Sequence, residues 1–367
     1  TTAAAPPHGQ ETRYPMTKPL ETLWYTHSPV PTGLGIAVQS GRLAEAFTPF
    51  GTNIQSLRES SEREVREAHY DHHLQNSVRH GGNIPAIWAY ASGVETRVLG
   101  LSWSDEVQLI LTTEESGVCS IRDLKNRRFG IPKWANVQID FTRAQALRGL
   151  ENALKLEGLA VGDVELVDYP YGGTYSDDAK RRLYGAEVSL GTSRVSRRNN
   201  ELIGLLRGDI DAIFLKGAHA VHLAHEFGLR VVVDTGSHPD PLIRSNNGTP
   251  RTLTVDRHLL ENHFDASRTL VDTVLRTEQW AWANPVETRR FLARELNTSE
   301  YWVAAAYGDD AHRRLRTALD SRSIEALQDF TEFLFRWGFI PRRFDVKAWI
   351  DFRVLESVIG STSRLAV

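Results

Sequence analysis

The sequence predicts an α/β fold built as two lobes around a cleft, and three observations carry that prediction: length, an alternation of strand and helix patterns, and one nearly continuous β-branched run. At 367 residues the chain exceeds the roughly 250–300 residues at which a single hydrophobic core stops growing, so two lobes with a core each are expected. Short apolar runs alternate with stretches of helical spacing, which is the order of an α/β lobe. The run Leu229–Gly236 (LRVVVDTG) has the composition of a strand buried on both faces of a parallel sheet.

Taken in order, LETLWYTHSPVP reads as a strand ended by Pro29 and Pro31, which cannot continue a ladder. TGLGIAVQSGRLAEAF follows as a helix and a second apolar start. Residues 58–79 are polar and charge-dense, NIPAIWAYASG reads as a buried helix, and TRVLGLSWSDEVQLILTT reads as two strands with a turn between them. The first lobe then closes at about Thr112. SIRDLKNRRFGIP, a short charged helix before Phe129-Gly130-Ile131-Pro132, resembles the opening of the second lobe in many binding proteins. Ala144–Leu156 has helical spacing, VGDVELVDYP alternates as a strand, and NNELIGLLRGDIDAIFLKG joins a helix to a strand through Gly208-Asp209. The return to the first lobe is placed near LRVVVDTG, giving residues 16–112 and 234–367 to one domain and 113–233 to the other. From Thr252 onward the pattern is mostly helical, with Leu270, Val271, Val274 and Leu275, then Ile324, Leu327, Phe333, Leu334 and Trp337, at core spacing. Position and spacing account for Trp280, Trp282 and Trp337 as core residues without a cofactor-stacking role.

Composition excludes more than it assigns. The apolar share of 41%, the charged share of 24% and the net charge of −3 are ordinary for a globular protein and give no electrostatic reason to expect nucleic acid or an anionic membrane as partner. A single cysteine, Cys119, precludes an intrachain disulfide and a multi-cysteine zinc site, and no apolar run approaches the roughly 20 residues that span a bilayer. A cytoplasmic monomer is the expectation. Residues 1–15 are small, polar and proline-rich and precede Met16, the one methionine; they read as a leader or expression remnant, with Met16 as the natural start.

No P-loop, nucleophile elbow, HExxH or GxGxxG occurs. Thr32-Gly33-Leu34-Gly35 is only a fragment of the last, and reads as a flexible turn near a helix start. His69-Tyr70-Asp71-His72-His73 invites a metal, but consecutive side chains diverge, so surface histidines with one facing a cleft are expected, and no metal. Arg79-His80-Gly81-Gly82 before a helix start suits an anion, since a guanidinium fork and approachable backbone N–H groups both serve charged oxygens; a capped helix with a solvated arginine explains the residues equally well. Ser28 stands on a rigid loop, as a turn-closing hydroxyl or, with His69 within reach, as a nucleophile.

These places together resemble one family. Thr22-Leu23, Tyr25, Ser28-Pro29-Val30-Pro31 in the place of a CPVP element, and His69 ten positions before Arg79-His80-Gly81-Gly82-Asn83-Ile84-Pro85 are similar to the hydroxybiphenyl-sulfinate desulfinases, which complete bacterial dibenzothiophene desulfurisation. Weaker similarity, including GDIDAIF and VVVDTG, extends over most of the chain after Met16. The resemblance implies a two-domain periplasmic-binding-protein-like fold of type II and hydrolysis of an aryl carbon–sulfur bond without a cofactor. It implies position 28 as the catalytic cysteine site, His69 as its support, and Arg79 with Gly82 as the holder of the sulfinate; His27 beside Ser28 is counted with the substrate-binding residues. Ser28 departs from the pattern at the reacting atom, and a hydroxyl is a poorer acid and nucleophile than a thiol. The chain as written is expected to be nearly inactive, with Ser28 read as a change introduced to trap a complex in preference to a natural relative with altered chemistry. The competing readings are a solute-binding protein for an aromatic sulfonate and a serine hydrolase, the latter lacking an acidic third member and an oxyanion-hole motif.

Overall fold

The computed structural model describes residues 19–175 and 200–365; residues 1–15, expected as a leader or expression remnant, and Met16 lie outside the described residues. Two sheets organise the chain. The first has the strand order β11-β4-β10-β3-β1-β2, with β1 Thr22–His27, β2 Asn53–Ser56, β3 Ser77–Gly81, β4 Thr96–Ser102, β10 Arg251–Asp256 and β11 Thr317–Ala318. The second runs β7-β6-β8-β5-β9, with β5 Gln108–Thr112, β6 Arg128–Trp134, β7 Glu165–Tyr171, β8 Ala212–Lys216 and β9 Arg230–Asp234. β1 pairs parallel with β2 and β3, whereas β10 runs antiparallel between β3 and β4.

The two strands read from TRVLGLSWSDEVQLILTT exist, but they do not belong together. β4 closes onto β10 in the first sheet and β5 lies antiparallel between β8 and β9 in the second. The chain therefore crosses between sheets within Trp103–Val107, not after Thr112, and returns through residues 235–250. Both runs carry the same apolar signature, and the signature does not name the partner. β9 corrects a second expectation: it is an edge strand antiparallel to β5 with Val231 exposed, so its valines reflect β propensity and not burial on both faces.

Two buried central strands lack the expected apolar pattern. Ser77–Gly81 is buried at all five positions as β3, and Arg251–Asp256 is buried at all six as β10. Specific bonds serve some of their polar groups: His80 Nε2 with Ser102 Oγ at 2.9 Å, and the Asp256 carboxylate accepting from Ser77 N at 2.7 Å. The segment Thr32–Gly35 is likewise not a flexible turn. Thr32 Oγ1 accepts from Gly35 N and caps the helix Gly33–Gln39, and a Cβ on Gly33 would lie 2.7 Å from Glu278 Oε1. The glycine permits close packing on the helix Phe264–Ala283.

One apolar core joins the two sheets. Ile84 and Ile87 from the helix Asn83–Ala91, Leu147 and Leu150 from the helix Phe141–Lys155, and Leu327 and Phe330 from the helix Ser321–Arg336 belong to a single buried cluster. A separate core under the first sheet includes Leu23, Leu253 and Leu270. Trp282 and Trp337 are exposed and Trp280 half-buried, so of these tryptophans none is a fully buried core residue. Among the described residues no helix is long and apolar enough to cross a membrane.

Candidate functional site

β1 delivers position 28 to the carboxyl end of the first sheet. The last rung of the β1–β3 pair is His27 opposite His80, and Ser28 N then donates to His80 O at 3.1 Å, so the residue past the strand is still held by the ladder. Pro29 and Pro31 stop it there. A Cβ on Gly81 would lie 2.1 Å from Ser28 Oγ, and one on Gly82 would lie 2.4 Å from Asn247 Oδ1. Gly82 itself has φ −55° and ψ 142°, and neither glycine of the pair has the left-handed φ that demands glycine. They are small because two other chain segments come close, which is a different reason from the flexibility expected of them.

Arg79 is not a solvated arginine. It lies in β3, only 4% exposed, with Nε donating to His69 O at 3.1 Å, Nη1 to Gly82 O at 2.7 Å and Nη2 to Ser28 Oγ at 3.4 Å. All these acceptors are neutral, and among the described residues no carboxylate pairs with it. Burial lowers its pKa to about 10, which leaves it a cation at neutral pH. A buried charge with neutral neighbours alone is costly, and an anion in the adjoining space offsets that cost.

The histidine cluster is more buried than expected. His69, in the last turn of the helix Arg63–Asp71, and His72, its left-handed cap at φ 59°, are both buried. Burial, and then the charge of Arg79, holds both imidazoles well below the usual histidine range, so both are neutral. His69 reaches Thr26 rather than Ser28: Thr26 Oγ1 and His69 Nδ1 are 2.6 Å apart. His27 also turns away. Its Nδ1 meets Glu295 Oε1 at 2.6 Å and it does not line the cleft, which removes it from the substrate-binding set. No cluster of three or more histidine, cysteine, aspartate or glutamate side chains suited to a metal occurs among the described residues.

Ser28, His69, Arg79 and Gly82 all border one cavity of about 520 Å³ between the two sheets. The second sheet lines it with Trp134 at the end of β6 and Lys216 at the end of β8, and the helix Phe141–Lys155 contributes Phe141. Tyr70 stacks on Phe141, with ring centroids 6.4 Å apart. The site therefore joins a cationic, hydrogen-bonding end to an aromatic wall, the combination that holds a small amphipathic anion. Glu201, which also borders the cavity, accepts from Tyr171 OH at 2.7 Å, and burial pushes its carboxyl up to about 7.

Trp134, Glu106, Glu201, Lys216 and Asn247 are site residues that the sequence reading does not single out. For Trp134 and Lys216 a signal exists: each ends a strand of the second sheet, and ligands of α/β sheets sit beyond carboxyl ends. Glu106 and Asn247 lie in the crossing segments, whose meeting point is a tertiary fact.

No model of a known protein family matches the sequence, and no curated protein matches it. Solved structures do. The desulfurization enzyme DSZB, as a cysteine-to-serine mutant in complex with biphenyl-2-sulfinic acid, is 24% identical with a TM-score of 0.72, over 93% of this chain and 99% of that one. The same enzyme in a second structure gives 23% identity and a TM-score of 0.69 over the same shares. The periplasmic aliphatic sulphonate binding protein SsuA from Escherichia coli is 16% identical with a TM-score of 0.61, over 90% of this chain and 92% of that one. At these identities the likeness speaks to architecture, and the chain has the two-domain α/β fold of the periplasmic-binding-protein-like proteins.

Proposed function

We propose that the cleft binds an aryl sulfinate with its headgroup at Ser28, Arg79 and Gly82, and that the chain is an aryl-sulfinate desulfinase whose reacting position carries serine in place of cysteine. The observation that carries this reading is Arg79: a buried guanidinium with neutral partners only, 3.4 Å from Ser28 Oγ, at one end of a cavity with an aromatic wall. The reaction is ArSO2⁻ + H2O → ArH + HSO3⁻. Arg79 and the Gly82 N–H neutralise and orient the sulfinate oxygens, while Tyr70, Trp134 and Phe141 keep water from the rings. A thiol at position 28 would be acidified by the adjacent guanidinium; the serine hydroxyl stays protonated, so the chain as it stands holds the ligand without turning it over. His69 is kept neutral and bonded through Nδ1 to Thr26, so proton exchange with the cleft falls to Nε2.

Sulfite release from hydroxybiphenyl sulfinate, measured for this protein and for Ser28→Cys side by side, tests the reading. Activity in the cysteine form alone supports it. Activity in both forms removes position 28 from the chemistry, and activity in neither leaves a binding protein for an aromatic sulfonate. One observation favours that second reading: His69 is engaged by Thr26 and not by residue 28.

A further inference from the structure

Lys216 ends β8 at the cleft, and its ammonium has three N–H donors. Two are engaged, by the Glu106 carboxylate and by Asn247 O at 2.7 Å. The residue borders the cavity and its side chain is 13% exposed, so the remaining N–H belongs to a group in contact with the cavity. The surrounding charge does not cancel. Arg251 is fully buried, its Nη2 is 3.8 Å from Glu106 Oε2, and its Nε and Nη2 have no hydrogen-bond partner. Two cations thus stand around one carboxylate, which also accepts from Tyr307 OH at 2.9 Å.

Asn247 joins this cluster to the headgroup site. Its backbone oxygen takes Lys216, while its side chain is so close to Gly82 that a Cβ there would lie 2.4 Å from Oδ1. Arg79 and the Gly82 N–H supply donors for the two oxygens of a sulfinate. A sulfonate or a sulfite has a third. We propose that the third N–H of Lys216 receives that oxygen, so that the cleft binds aryl sulfonates and inorganic sulfite as well as sulfinates, and Lys216 is the residue that distinguishes three-oxygen from two-oxygen headgroups. The inference rests on the sulfinate reading of the cleft. Under it, the sulfite set free by carbon–sulfur cleavage keeps a holding site after the ring departs, and added sulfite competes with substrate.

The test is isothermal titration calorimetry of this protein with biphenyl-2-sulfinate, biphenyl-2-sulfonate and sodium sulfite, repeated with Lys216→Met and Tyr307→Phe. Lys216→Met keeps most of the side chain's length and removes its charge, and Arg251 remains to neutralise Glu106. Loss of one charged hydrogen bond weakens sulfonate and sulfite about tenfold or more and leaves sulfinate within about threefold. Tyr307→Phe loosens Glu106 without removing the ammonium and keeps the ligand ranking of the unaltered protein. If Lys216→Met does not fold, Lys216→Gln, which retains a donor toward Asn247, carries the same comparison. Equal weakening of all three ligands, or of none, overturns the role of Lys216 and leaves the sulfinate site standing. Failure of the unaltered protein to bind either aromatic ligand overturns both.

Discussion

A guanidinium in the interior is ordinarily matched by a carboxylate, and Arg148, only 2% exposed, here shows the usual arrangement with Asp329. Among the described residues Arg79 has instead two backbone oxygens and a hydroxyl, and under the proposed function the missing charge is the one a ligand brings. Truncating one member of a buried hydrogen-bonded charge pair costs about 2 kcal/mol or more, which is roughly a thirtyfold loss of affinity. Arg79→Gln should therefore weaken biphenyl-2-sulfinate at least that much in calorimetric titration, and an affinity within a few-fold of the starting value would contradict the assignment of the headgroup. The residue types at positions 28, 69, 79 and 82 are legible in the sequence, because hydroxyl, imidazole, guanidinium and glycine each advertise a chemistry. Their pairings are not. That His69 meets Thr26 and His27 meets Glu295 depends on partners up to 268 residues away, and no local spacing encodes that.

At the scale of elements, the site is a product of register. β1 and β3 pair so that His27 faces His80, and this sets Ser28 directly against Gly81. A Cβ on Gly81 would meet Ser28 at Oγ, Cβ and N, at 2.1, 2.7 and 3.1 Å; the last contact is backbone and cannot rotate away. Gly81→Ala in the Ser28→Cys background should then displace the reacting side chain and reduce sulfite release about a hundredfold, since misplacement by about 1 Å costs on that order, while circular dichroism stays unchanged. Undiminished turnover would show that the contact relaxes harmlessly. The helices and most strands of this scaffold are readable from apolar periodicity, as in Phe141–Lys155 and Ala212–Lys216. β3 and β10 are not, because SVRHG and RTLTVD place arginine, histidine, threonine and aspartate inside a sheet, where the ladder and a few side-chain bonds supply what the hydropathy pattern lacks.

The whole molecule has a pH dependence whose sign follows from its buried titratable groups. Burial holds His69 and His72 well below the usual range and, with Arg251 next in importance, takes His80 down to about 3. In the unfolded chain these imidazoles take up protons below about pH 6.5; the folded chain excludes them, so stability falls as pH falls through that window. Glu201 and Glu278 oppose this. Burial raises each to about 7, so between about 4.5 and 7 the folded chain binds protons that the unfolded chain does not, and acidification there favours folding. Among the described residues, these three histidines against these two carboxyls leave about one proton, or ~1.4 kcal/mol per pH unit. Urea unfolding at pH 6.5 and 5.0 should accordingly show a loss of about 2 kcal/mol, and Glu278→Gln, which removes one opposing group, should roughly double the slope. A flat profile, or one that rises on acidification, would refute the assignment of these histidines as neutral.

The apolar core that runs from the helix Asn83–Ala91 through Phe141–Lys155 to Ser321–Arg336 bears on tempo. Wide jaw-like opening of the cleft would expose part of that shared core, at about 25 cal/mol for each Å². Ligand exchange is then expected through the mouth of a standing cavity, with no need for the microsecond-to-millisecond swings of whole domains.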